Sequence, residues 1–165
     1  MSSSRDFPSV DYVAIGAIGE PGKRVFLIQM RYLDDLVTVK VEKAQVAALV
    51  RHLGELIKEI PRPGHLDEPS PILVPYEIAW VVGAIGIAYD ESTDQIHLHL
   101  EELATDDAEQ SSLRVGLSKE QSAVIAIQGT RLIEAGRPPC PLCGYPLDPN
   151  GHVCPRTNGH TAPTL

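Results

Sequence analysis

The stretch LVTVKVEKAQVAAL, residues 36–49, changes its period half-way along. Up to Val41 the side chains alternate, with Val37, Val39 and Val41 on one side and Thr38 and Lys40 on the other, as in a strand with one buried face. From Lys43 to Ile60 the apolar positions Val46, Leu49, Val50, Leu53, Leu56 and Ile57 fall at helical spacing, with Arg51, Glu55 and Lys58 between them. Pro61 and Pro63 stop the helix, because proline lacks the donor that the next turn needs. The same change recurs in SLRVGLSKEQSAVI, residues 112–125. The two stretches match through Val37/Leu113, Val39/Val115, Val41/Leu117, Lys43/Lys119, Gln45/Gln121 and Ala47/Ala123. The second predicts a helix with Ser118 as N-cap and Gly136 at its end.

Each of these strand-to-helix stretches is preceded by two further apolar runs. VDYVAIGAIG and RVFLIQMRYL lie before the first, separated by the turn-rich GEPGK; EIAWVVGAIGIAYD and QIHLHLEEL lie before the second, separated by ESTD. The tetrapeptide GAIG occurs in both, at Gly16–Gly19 and Gly83–Gly86. The order strand, strand, strand, helix is therefore written twice, in halves of about 8–61 and 75–136, joined by the connector PRPGHLDEPSPILVP. A unit of roughly 65 to 75 residues is too long for a solenoid repeat. The expected fold is α+β: two pseudo-symmetric βββα halves forming an antiparallel sheet, a helix packed on each half, and one shared core. Residues 1–136 form this body, and 137–165 a small C-terminal zinc-ribbon-like module.

All three cysteines lie in CPLCGYPLDPNGHVCPRTNGH, residues 140–160. Cys140 and Cys143, two residues apart with Gly144 following, have the form of a zinc knuckle. YPL, DPNG and HVCP read as strand, turn and returning strand, which brings Cys154 back to the knuckle. Thr157 stands where many ribbons place a fourth cysteine, so the fourth ligand is a histidine. His152 is preferred, since it precedes Cys154 by two residues and shares its strand face. His160 is the alternative, reached across the PRTNG turn but nearer the terminal residues, which fray. Three thiolates and one imidazole close the coordination sphere, so the zinc is structural and carries no catalytic water.

The segment GRPPCPLCGYPLDPNGHVCPRTNG, with the VGAIGIAYD strand and the helix before the cysteines, resembles an uncharacterised bacterial protein family, a conserved domain of unknown function also described as a putative repeat protein. The resemblance covers nearly the whole chain and is most specific in the cysteine-rich tail. It implies a cytoplasmic protein with a zinc-ribbon-like end and supplies no mechanism.

Composition narrows the remaining classes. A hydrophobic fraction of 43% in 165 residues is enough for a core and too high for a disordered chain. No apolar run is long enough to cross a bilayer, and MSSSRDFPSV does not read as a signal peptide, so a cytoplasmic protein is expected. Three cysteines in such a compartment are not a disulfide framework. The net charge of −8 disfavours a nucleic-acid partner gripped by the whole surface. The tail carries Arg137, Asp148 and Arg156, and with Arg131 and Asn158 it leaves a local phosphate contact as the second reading.

A third reading places a catalytic metal on His97, His99 and Glu101, which alternate along QIHLHLEEL and share one strand face. Ordinary alternation in a half-exposed strand explains the same pattern. The GAIG segments are not followed by the Lys-Ser or Lys-Thr of a phosphate loop, and no serine sits in a Gly-x-Ser-x-Gly elbow. The expectation is a non-enzymatic, zinc-containing protein whose partner is another protein.

Overall fold

The computed structural model describes residues 4–20, 22–106 and 109–135. The elements in chain order are β1 (Ser4–Phe7), β2 (Tyr12–Ile18), β3 (Val25–Tyr32), β4 (Asp35–Val41), α1 (Lys43–Glu59), β5 (Ile78–Asp90), β6 (Gln95–Glu102), β7 (Ser112–Ser118) and α2 (Lys119–Glu134). After β1, the sequence of elements is three strands and a helix, twice. Both period changes fall where the sequence places them: β4 gives way to α1 at Glu42, and β7 to α2 at Ser118. Ser118 Oγ accepts the Gln121 N–H at 3.0 Å while Gln121 Oε1 accepts the Ser118 N–H at 2.9 Å, a reciprocal capping box.

The seven strands form one sheet in the order β1-β7-β6-β5-β4-β3-β2. The antiparallel sheet expected from the sequence is corrected to a mixed one. The meanders β2-β3-β4 and β5-β6-β7 are antiparallel, but β4 pairs with β5 in parallel and so does β1 with β7. The first parallel pair follows from α1, which carries the chain back before β5 begins, as a crossover helix does. The second comes from the N-terminal segment SRDF, whose sequence has no strand periodicity.

The sheet is strongly rolled. Laid flat, six inter-strand gaps would hold β1 and β2 about 29 Å apart. The link from Phe7 to Tyr12 spans at most about 18 Å. Contacts across the gap agree: Phe7 in β1 meets Tyr32 at the end of β3 with ring centroids 5.7 Å apart, and Arg5 pairs with Asp35 at 2.8 Å. The helices fill the inside of the roll, with α2 packed on β2 at one end of the sheet and on β7 and β6 at the other. One core results, built from Ile15, Ile28, Met30, Val37, Val39 and Val41 of the first half and Ile96, Leu98, Leu100, Leu113, Val115 and Leu117 of the second, with Val46, Leu49, Leu53 and Ile125 from the helices.

Two glutamines tie the halves together. Gln45 holds the Glu42 N–H at 2.8 Å and donates to the Val82 carbonyl of β5 at 3.0 Å. Gln121, at the corresponding position of α2, donates to the Val10 carbonyl ahead of β2 at 2.9 Å. Each helix is thus anchored to the first strand, or the approach to the first strand, of the other half.

Thr38 is not on a solvent face as its alternation predicts. The connector between α1 and β5 covers the outside of β2-β3-β4, and Thr38 and Gln29 are both buried beneath it. Gln29 Oε1 accepts the Leu73 N–H at 2.7 Å, while its Nε2 donates to the Leu73 carbonyl at 3.0 Å and to Thr38 Oγ1 at 3.1 Å. The side-chain amide takes the place of a neighbouring peptide group. Ile72 beside it lies over Gly16, where a Cβ would come within 2.5 Å of Ile72 Cγ1.

Candidate functional site

The predicted metal ligands Cys140, Cys143, His152, Cys154 and His160 lie outside the described residues, as do Arg137, Arg156 and Asn158. Three concave surfaces among the described residues bear on a site.

The first is the outer face of β5-β6-β7. His97, His99 and Glu101 do share it, registered against Ala88, Gly86 and Ala84 of β5 and against Gly116, Arg114 and Ser112 of β7. The small residues leave a shallow depression of about 340 Å³ beside the imidazoles and Arg114. The three predicted ligands do not converge. Each imidazole lies nearest its own carboxylate, His97 Nε2 at 3.8 Å from Asp90 Oδ2 and His99 Nδ1 at 3.9 Å from Glu101 Oε1. Among the described residues no group of three histidine, cysteine, aspartate or glutamate side chains is placed to hold a metal ion.

The hairpin turn at the end of this face is an electrostatic knot. The Tyr89 hydroxyl donates to Asp94 Oδ1, and Asp94 Oδ2 pairs with Lys119 Nζ at 3.1 Å. Ser92 gives Asp90 its backbone N–H at 2.9 Å and its hydroxyl at 2.6 Å. These bonds hold the Asp90 and Asp94 carboxyls below the usual carboxylate range, through Ser92 for the first and through Tyr89 and then Lys119 for the second. The same bond to Asp94 pushes the Tyr89 phenol up to about 12. A raised phenol pKa means that the fold favours the neutral form, so this contribution is full below pH 10 and is lost as pH rises through about 12. The carboxylates act in the opposite sense: their contribution is present above the usual carboxylate range and is lost as pH falls below it. A spectrophotometric tyrosine titration is expected to show one phenol near 12, brought back toward 10 by Asp94→Asn. An unchanged titration in that variant would show that Asp94 is not the cause.

The second surface is a cleft of about 430 Å³ where the link from Ser9 to Tyr12, the connector near Asp67 and the first turn of α2 meet. Two of the four acidic residues that line it, Asp11 and Glu120, already have partners. Asp11 pairs with Arg31 at 3.3 Å, and Glu120 accepts the Gly64 N–H at 2.8 Å, which lowers its carboxyl below the usual range.

The third is a groove between α1 and β5. It consists of two adjoining hollows of about 140 and 450 Å³ that share His52, Ile85 and Ile87. It begins at Gln45 and ends at Glu59. Sequence reasoning missed it because β5 reads as an unbroken apolar strand. The register of β5 against β6 shifts between Val82 and Ala84, a bulge at Gly83. Trp80 and Val82 face inward before the bulge, and Ile85, Ile87 and Tyr89 do so after it, which leaves Ala84, Gly86 and Ala88 outside. The change from even to odd apolar positions around Gly83 is the signal that was available.

A family model described as a protein of unknown function (DUF3090) matches residues 5–154. No curated protein and no solved structure matches the chain. No helix among the described residues is long and apolar enough to cross a membrane.

Proposed function

Since the chain belongs to the DUF3090 family, whose match extends through Cys154, we propose that it is a non-enzymatic zinc-binding protein whose α+β body carries a cysteine-rich recognition module for another protein. The observation that carries this reading is the extent of the match. It takes in Cys140, Cys143, His152 and Cys154 and leaves out His160, so the Cys-x₂-Cys and His-x-Cys pairs fall within the same family unit as the body. Three thiolates and an imidazole form a closed tetrahedral site that stabilises a short segment without offering a position to substrate. A reducing compartment suits such thiolates, and the net charge of −8 favours a protein partner over a polyanion.

We read the two βββα runs as copies of one unit. Gln45 and Gln121 support this, since each closes its helix's capping box and each reaches across to the other half.

Metal analysis of the purified chain tests the proposal. Equimolar zinc is expected, lost in Cys143→Ser and in His152→Ala but kept in His160→Ala. The unfolding transition of the body is expected to stay where it was in all three variants. A chain without zinc, or zinc that survives Cys143→Ser, overturns the reading.

A further inference from the structure

In the first meander Thr38 of β4 stands opposite Gln29 of β3, and Gln29 opposite Ala14 of β2. In the second, Arg114 of β7 stands opposite His99 of β6, and His99 opposite Gly86 of β5. The next rung toward the helix holds Lys40, Leu27 and Gly16 in the one and Gly116, His97 and Ala88 in the other. Thr38 and Arg114 also lie between matched buried residues, Val37/Leu113 before and Val39/Val115 after. The two outer faces are therefore equivalent rung for rung.

They differ in what covers them. On the first, Gln29 bonds both backbone groups of Leu73, and Ile72 lies over Gly16. On the second, no described residue takes that place: His97 and Arg114 are exposed, and a Cβ added at Gly86 would meet only His99, its neighbour on the rung. The hollow of about 340 Å³ at Gly86, Ala88, His97, His99 and Arg114 falls on the same two rungs that seat the connector.

The chemistry of the open seat is more cationic than that of the filled one. A neutral imidazole at His99 keeps one donor and one acceptor, as the amide of Gln29 does, but Arg114 brings a guanidinium with donors only where Thr38 has a hydroxyl. The face's carboxylates Asp90 and Glu101 lie by His97 and His99. Asp6 of β1 is registered against Arg114, yet the Arg114 side chain makes no hydrogen bond or ion pair with another described residue. We propose that this face seats an extended peptide segment of another protein, with a side-chain carboxylate of that segment on Arg114. The ladder registers, and not the ancestry of the two runs, carry the equivalence.

The probes are the capped connector hexapeptide of residues 70–75, which fits the filled seat, and versions with one residue at a time replaced by Asp or by Asn. They are titrated into the full chain while NMR follows the Arg114 Nε–H, the His99 ring and the Ala88 methyl. At one peptide position Asp is expected to bind about tenfold or more tighter than Asn, with shifts at all three groups. Arg114→Gln is expected to abolish that preference and Arg114→Lys to keep most of it; Arg114 is exposed, so neither replacement disturbs the core. A panel that shifts none of these groups, or equal binding of Asp and Asn at every position, overturns the proposal. Contacts from the Ala88 methyl to residues 136–165 or to a second copy in the peptide-free chain would give the seat to that occupant and overturn it too. The inference does not rest on the zinc reading. Binding by a zinc-free chain upholds it, and a zinc-loaded chain that binds no peptide overturns it alone.

Discussion

Gln29→Leu is expected to lower the stability of the chain by about 3 kcal/mol, although leucine has nearly the right volume for the site. Gln29 is fully buried and makes three hydrogen bonds, to both backbone groups of Leu73 and to Thr38. Leucine supplies none of them, and a buried donor or acceptor left without a partner costs about 1–3 kcal/mol. Water reaching the freed Leu73 groups offsets part of the loss, because the connector lies at the surface. Chemical denaturation measures the change. Hydrogen exchange at the Leu73 amide locates it, and rapid exchange there with slow exchange in β6 is the expected pattern. A stability unchanged within about 0.5 kcal/mol, the usual range for surface substitutions, would show that the connector is not held by this amide.

Gly116→Ala is expected to be comparably severe, by about 2–3 kcal/mol, within the range of overpacking in a close-packed site. A Cβ at Gly116 would stand 2.3 Å from the Pro8 carbonyl oxygen and 2.9 Å from Gln95 Oε1. The first of these is backbone and cannot rotate away. The link from β1 to β2 must therefore move. It would take with it the Gln95 bond to Pro8 at 3.2 Å and the Gln121 bond to Val10 that anchors the start of α2. Gly54→Ala is the control, since nothing lies within 4 Å of its added Cβ and alanine is favoured over glycine in a helix by up to about 1 kcal/mol. Thermal unfolding of the two variants side by side is expected to move in opposite directions. Equal shifts would contradict the close approach of Pro8.

Local patterns were legible in the sequence, and long-range placement was not. The change of period at Glu42 and at Ser118 located both helices, because side-chain spacing along one element is a local property. The parallel pairing of β4 with β5 depends on where the chain lands after α1, which no spacing records. β1 was invisible for the same reason: SRDF becomes a strand by bonding to β7 and not by any periodicity of its own. The burial of Thr38 was hidden because its cover comes from Leu73, far along the chain. Of the candidate sites, His97, His99 and Glu101 were correctly placed on one face, but alternation cannot say whether side chains converge. The cysteine spacing is local in the same sense, and it was read from fifteen residues alone. The groove required knowing both the bulge at Gly83 and the position of α1.

The pairing of Ser4 with Ser112 and of Phe7 with Val115 has a consequence for the order of assembly. β1 has no sheet partner until the seventh strand exists, so it must wait while β2 to β6 and α1, which lie between the two in the chain, are made. The first meander and α1 can form from nearby contacts, but the roll closes only at the end, across the longest sequence separation in the sheet. Contacts of that kind slow folding and prolong the time for which strand edges stand open. The waiting segment is suited to that interval: it is four residues long, it is mostly polar, and its Arg5 and Asp6 make it a poor template for another chain.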